Sequence, residues 1–234
     1  MIPWTLLGTT TMPDGGGDLK LLQRGAEFSI MAGATELMNS RLSGSEESLA
    51  TLSVERIGGR SRPTMLIGGL GMGFTLRAAL AALGADAAVT VAELVPAVIG
   101  WAKGPMAHVF GDSLVDPRVG LVEGDVGGVI RSAQNAYDAI LLDVDNGPEG
   151  LTRRGNDSLY DLAGLAAARR ALRPGGVLAV WSSAVDHRFT ARLHKAGFGV
   201  EELKVRANGR RGGARHVIWI GTEPGAASRA AIPG

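Results

Sequence analysis

Beyond Pro63 the sequence alternates short runs of Val, Ile, Leu and Ala with longer amphipathic stretches. The pattern predicts strands over 64–68, 88–94, 119–123, 138–143, 176–182, 199–206 and 215–222, and helices over 74–83, 95–108, 126–133, 158–172 and 186–196. Apolar strands that alternate with amphipathic helices specify a parallel sheet covered on both faces. The last two strands are separated only by a Gly- and Arg-rich loop, which leaves no room for the crossover a parallel return needs, so they pair antiparallel. The expected fold is α/β, a mostly parallel seven-stranded sheet with one late antiparallel strand.

The 234 residues allow one large domain with a small appendage. Residues 1–17 read as irregular and end in Asp14-Gly15-Gly16-Gly17. Residues 18–40 read as a small β-hairpin or meander with turns at Arg24-Gly25 and Ala32-Gly33. Ser43 and Glu46 stand at capping-box spacing, so a helix is expected from there to about Ile57, stopped by Gly58-Gly59. The organisation is then an N-terminal β-region with a linking helix over 1–58, a Rossmann-like nucleoside-binding catalytic domain over 59–222 and a flexible tail over 223–234. Without cysteine, the chain has no disulfide, thiolate zinc site, thiol nucleophile or iron–sulfur cluster. Twenty-four Lys and Arg against 23 Asp and Glu give no electrostatic argument for nucleic acid or a membrane surface. The absence of a long apolar run and of a signal-peptide pattern makes a soluble cytoplasmic protein the expectation. His108, His187, His194 and His216 are scattered without ligand spacing, so no metal is expected. Arg206, Arg210, Arg211 and Arg215 share one loop, which reads as a solvated hairpin tip, with binding of an acidic substrate or RNA as the alternative.

Four features carry chemistry. In Ile67-Gly68-Gly69-Leu70-Gly71-Met72-Gly73-Phe74, an apolar strand runs through four glycines into a helix. Glycines let backbone approach a ligand closely and present amide N–H groups at a helix start. The dinucleotide spacing G-x-G-x-x-G fails, because Phe74 and Leu76 occupy the places of its third glycine. An adenosyl-sulfonium nucleoside therefore suits the loop better than NAD. Glu93, followed by Leu94, ends the next strand 20 residues after Gly73, where an acid can accept both ribose hydroxyls. Asp125, followed by Val126, ends the third strand and can accept from an adenine amino group, cap the next helix, or do both. The fourth strand delivers Asp143 and Asp145 to the switch point of the sheet, where paired carboxylates suit a cationic ligand or a base acting on an amine.

Taken together, the glycine loop with Thr75-Leu76-Arg77, Glu93, the Glu123-Gly124-Asp125 turn and the strand from Tyr137-Asp138 to Asp143 resemble spermidine synthase and its aminopropyltransferase relatives. That family lies within the class I methyltransferase-like Rossmann fold, and the small β-region ahead of the sheet domain matches its organisation. The resemblance covers about 18–222 and is clearest over 64–183. It implies that Gly68, Gly69, Gly71, Gly73, Glu93, Leu94, Asp125, Val126 and Asp143 hold the nucleoside. It also implies that Asp143 orients and deprotonates the attacking amine, and that Asp145, Glu46, Glu47 and Tyr160 face the acceptor. Strict register would put Asn146 in the place of Asp145. A homodimer through the N-terminal β-region is implied as well.

The chain departs from the family at one informative place. The family's glycine loop carries an aspartate that binds the aminopropyl ammonium of decarboxylated S-adenosylmethionine, and here Gly71 or Met72 stands there. The gatekeeping loop is also shortened. The main reading is transfer of an aminopropyl group to a small amine. Two alternatives stay open: a small-molecule methyltransferase that uses intact S-adenosylmethionine, and a nucleoside-binding protein without turnover.

Overall fold

A computed structural model describes residues 2–13, 17–144, 147–148, 157–209 and 212–225. The predicted segments Asp145, Asn146 and the end of the tail lie outside the described residues.

An antiparallel sheet in the order β1-β2-β3-β4 opens the chain, from β1 (Thr5–Thr11), β2 (Asp18–Arg24), β3 (Glu27–Ala32) and β4 (Thr35–Asn39). The meander over 18–40 is present, but the stretch before it is not irregular. Thr5–Thr11 pairs with β2 along its length. Its Leu6, Leu7 and threonines are mostly exposed, so no apolar alternation marked it as a strand. Helix α1 (Gly44–Arg56) starts directly after Ser43, as expected, although the Ser43 side chain makes no capping hydrogen bond.

The larger sheet has the order β10-β11-β9-β8-β5-β6-β7. Its strands are β5 (Thr64–Gly68), β6 (Ala88–Glu93), β7 (Val119–Glu123), β8 (Tyr137–Leu142), β9 (Leu172–Ser182), β10 (Gly199–Arg206) and β11 (Arg215–Thr222). All pairs from β9 to β7 are parallel, and β11 lies antiparallel between β9 and β10, as the short final loop demanded. Helices α2 (Phe74–Ala82), α3 (Pro96–Lys103), α5 (Val126–Ser132), α7 (Leu162–Ala171) and α8 (His187–Lys195) cover the faces. Two expected helices are broken. The first ends at Gly104, and a short α4 (Ala107–Phe110) and a 3-10 turn follow. The second divides into α6 (Asp157–Tyr160) and α7, because the Asp161 carboxylate accepts from Gly164 N and starts a new helix.

The pleat sorts the core. On β5, Met65 and Ile67 face α1, α2 and the small sheet's Leu21, Phe28 and Ile30, whereas Leu66 faces α5, α7 and α8. The opposite end of the sheet is tied by Asp138. This carboxylate is 1% exposed and accepts from Arg60 Nη1 at 2.6 Å, Arg173 Nη1 at 2.8 Å and Thr64 N at 2.8 Å. The tail begins later than 223. Glu223 continues β11 with its N–H on the Gly176 carbonyl, and its buried side chain meets Arg169.

Candidate active site

The carboxyl ends of β5, β6 and β8 meet where the chain order reverses, since β6 leaves β5 on one side and β8 returns on the other. The glycine turn crosses this point. Gly69, Gly71 and Gly73 all take positive φ, which side chains rarely tolerate. At Gly69 a β-carbon would also run into the Asp143 backbone carbonyl.

Two chambers adjoin here and share Leu37, Met38, Gly71 and Asp143. The first, about 110 Å³, is walled by Gly69, Ala92, Glu93, Leu94, Asp125 and Val126, with Met12, Leu19, Leu37 and Met38 of the small sheet and its loops closing it from above. Glu93 is 7% exposed, and its carboxylate accepts from Leu70 N at 2.9 Å and Val95 N at 2.8 Å. Burial raises its pKa, and the backbone donors oppose that shift. The Leu94 and Gly71 amides also favour its charged form, so the carboxylate lies among four backbone N–H groups in the chamber wall. Asp125 caps α5 by accepting from Gly127 N and Gly128 N, both at 3.0 Å, and pairs with Arg131 at 3.1 Å. It is 48% exposed on its side chain, so capping leaves its rim accessible to a further donor.

The second chamber, about 90 Å³, is bounded by Glu46, Leu70 to Phe74, Asp143 and Trp181. Asp143 Oδ2 accepts from Thr75 Oγ1 at 2.6 Å. Burial pushes the Asp143 carboxyl up to about 7, the charge of Glu46 pushes the same way, and the Thr75 hydroxyl pulls it back. Burial also raises the Glu46 pKa. Its Oε2 accepts from Ser45 Oγ at 2.7 Å, and Ser45 Oγ contacts His216 Nδ1 at 2.9 Å. Two carboxylates that share one small chamber each resist ionisation until a cation joins them.

Of the residues singled out in the sequence, Gly69, Gly71, Gly73, Glu93, Leu94, Asp125, Val126, Asp143 and Glu46 line these two chambers. Gly68 lies beneath them, where a β-carbon would meet the Val126 side chain. Glu47 does not join Glu46. It is exposed and lines a separate cleft with Thr51, Phe74 and Arg77, because neighbouring helix positions point about 100° apart. Tyr160 turns away as well. It is 2% exposed and packs edge-on against Phe189 at 5.6 Å in the core beneath α7 and α8. Trp181, near the end of β9, forms a wall of the second chamber. Leu37 and Met38 carried no site signal of their own, and Thr75 entered the sequence reading only as part of the glycine-loop motif, without a role. Thr75 is identifiable only because the first turn after a glycine loop faces the neighbouring strand end. Among the described residues no group of three or more His, Cys, Asp or Glu is placed to hold a metal ion, and no helix is long and apolar enough to cross a membrane.

Known proteins resemble this chain in sequence and in fold. The family model described as Spermine/spermidine synthase domain matches residues 15–189. A polyamine aminopropyltransferase from Korarchaeum cryptofilum is 34% identical over 110 residues, 46% of this chain and 33% of that protein. One from Mycobacterium tuberculosis is 31% identical over 154 residues, 62% of this chain and 28% of that protein. The matched stretches thus span about a third of these relatives' length. Among solved structures, a spermidine synthase bound to the transition-state analogue AdoDATO superposes with a TM-score of 0.71 at 15% identity, covering 97% of this chain and 76% of that one. Spermidine synthase from Thermotoga maritima gives a TM-score of 0.71 at 14% identity, over 97% and 75% of the two chains. The match over three quarters of its length means that the chain belongs to the spermine/spermidine synthase family.

Proposed function

We propose that the protein transfers an aminopropyl group from decarboxylated S-adenosylmethionine to a small amine. The observation that carries the reading is the pairing of Asp143 and Glu46 around one small chamber beside the glycine turn. In this reading Glu93 accepts the ribose hydroxyls, Asp125 accepts from the adenine amino group, and Leu94, Val126 and the small sheet's Leu37 and Met38 enclose the nucleoside. The sulfonium of the donor supplies an electrophilic carbon and a neutral thioether leaving group.

The work left to this chain is alignment and the handling of one proton. An amine attacks only as its free base, so a group must hold the nitrogen in line and take a proton from it. Asp143 fits both tasks. With a pKa of about 7 it is ionised in a substantial fraction of molecules at neutral pH, yet basic enough to accept a proton. Thr75 fixes one of its oxygens and leaves the other for the amine. The carbon–nitrogen bond forms as the carbon–sulfur bond breaks, and the proton lost by nitrogen passes to Asp143.

The chamber also discriminates between donors. Intact S-adenosylmethionine would bring a carboxylate against Glu46 and Asp143, and like charges in a desolvated site repel. The decarboxylated form brings only an ammonium. This favours aminopropyl over methyl transfer, although the glycine turn lacks an acid. A homodimer through the small sheet and a soluble, cytoplasmic setting belong to the same proposal. Calorimetric titration with decarboxylated S-adenosylmethionine, S-adenosylmethionine and NAD tests it. At least tenfold tighter binding of the decarboxylated form, about 1.4 kcal/mol, is expected. Tighter binding of the intact cofactor would replace the reading with methyl transfer, and binding of NAD alone would end it.

A further inference from the structure

The chain that leads away from Glu46 is not explained by the reading above. Ser45 is fully buried, and its Oγ touches two groups, Glu46 Oε2 at 2.7 Å and His216 Nδ1 at 2.9 Å. A hydroxyl has one hydrogen. With Glu46 ionised, that hydrogen goes to the carboxylate, so the histidine must supply the hydrogen of the other bond. His216 is then the neutral tautomer with its proton on Nδ1. Burial lowers the His216 pKa, which agrees with a neutral ring. The ring is held edge-on to Trp181 with centroids 4.8 Å apart, and Trp181 is itself a wall of the second chamber.

The three residues come from the start of α1 and from β11, 171 positions apart in the chain. Their junction is built by close backbone contact. Gly44 N donates to the Ala207 carbonyl at 2.9 Å, and a β-carbon at Gly44 would collide with Gly209 of the β10–β11 turn. The helix start is therefore clamped to the hairpin that carries His216. Around Glu46 the acidic neighbours are Asp143 across the chamber and Glu47 on its own helix; the charge of Glu47 opposes Glu46 ionisation, and the charge of Glu46 opposes that of Asp143. Against them Ser45 is the side chain that favours the charged form.

Resting on the reading of the chamber as an ammonium site, we propose that His216 and Ser45 are positioning residues whose aligned N–H and O–H groups hold Glu46 ionised and in place, so that Glu46 supplies the anion for the donor's ammonium that the glycine turn lacks. His216 touches no substrate in this arrangement. It acts through Ser45, and its effect should appear only with ligands that carry the ammonium.

Two nucleosides separate this from a structural role. Decarboxylated S-adenosylmethionine carries the ammonium, and methylthioadenosine has the same nucleoside without it. Calorimetry on the full chain at one pH should show E46Q, S45A and H216A each binding decarboxylated S-adenosylmethionine at least tenfold more weakly than the unsubstituted protein. The same variants should bind methylthioadenosine within about twofold of it. H216N, whose amide N–H can stand where Nδ1–H stands, should recover most of the lost affinity. Equal weakening toward both nucleosides in H216A would make the histidine merely structural and overturn the relay. So would unchanged binding of both, or an H216N variant as weak as H216A toward the ammonium-bearing ligand. If the unsubstituted protein binds neither nucleoside, the reading of the site falls and the relay with it. If it binds both and the substitutions change neither, the relay alone falls.

Discussion

Replacing Thr75 by Val should move the pH dependence of catalysis in a stated direction and by a stated amount. Thr75 is buried and donates to Asp143 Oδ2 at 2.6 Å, and this bond is the side-chain contact that favours the ionised acid. Hydrogen bonds to charged groups contribute about 1.5–3 kcal/mol, and about 1.4 kcal/mol corresponds to a tenfold change in proton affinity. Loss of the hydroxyl should therefore raise the Asp143 pKa from about 7 to about 8 or higher. Val matches Thr in size, so packing changes little while the donor disappears. A base must be ionised to act, so the ascending limb of kcat/KM against pH should shift upward. At pH 7 the ionised fraction falls from about one half to about one tenth, a loss of roughly fivefold. Above about pH 9 the variant should approach the unsubstituted rate. The assay is release of methylthioadenosine between pH 5.5 and 9.5 with a diamine acceptor. A limb that stays in place, or moves down, would refute the assignment of Asp143 as the titrating base.

Other perturbations test separate parts of the argument. Asp143→Asn should abolish turnover, and it should also change stability with pH. The folded pKa lies above the ordinary value of 3.8, so Asp143 favours the fold below about pH 4 and loses that contribution as pH rises through about 7. The Asn variant should therefore melt higher than the unsubstituted protein at pH 8 and no higher at pH 4, as differential scanning calorimetry can read. Glu93→Gln turns one acceptor oxygen into an N–H donor facing Leu70 N or Val95 N, so nucleoside affinity should fall at least tenfold by calorimetry. Asp138→Asn strands Arg60 and Arg173 at the far end of the sheet, and should cost about 2–4 kcal/mol in denaturant unfolding without altering the limiting pH profile.

The sheet domain was legible because its signals are local and repeated. Each strand from β5 to β8 is a largely apolar run, and the helices after β5, β6 and β7 begin within a few residues, so the parallel order needed little else. The carboxylates were legible for the same reason. Glu93 and Asp143 lie at or just past the last residue of their strands, and a parallel sheet brings those ends together whatever the sequence between them. β1 was not legible, because a strand that leaves leucines and threonines in solvent has no alternating pattern to read. Tyr160 and Glu47 show the other limit. The family resemblance placed both at the acceptor, and side-chain direction from a helix sends one into the core and the other to an outer cleft.

The start of α1 shows how a local signal can be present and unused. Ser43 and Glu46 have the spacing of a reciprocal cap, which would turn the Glu46 carboxylate back toward the backbone N–H of Ser43. Instead Ser43 takes a backbone conformation of φ −137° and ψ −12° and makes no side-chain cap, while Glu46 bonds Ser45 and faces Asp143. A lost cap costs about 1 kcal/mol at a helix end, and a second carboxylate brought toward a buried first one costs more. Both costs fall in the first turn of the same helix. Departures from local preference tend to collect where a site is built, because only there does another requirement outweigh them. The same helix start is docked against the β10–β11 turn through Gly44. The sequence motif that best predicts the helix thus marks, by its failure, the side chain that completes the chamber.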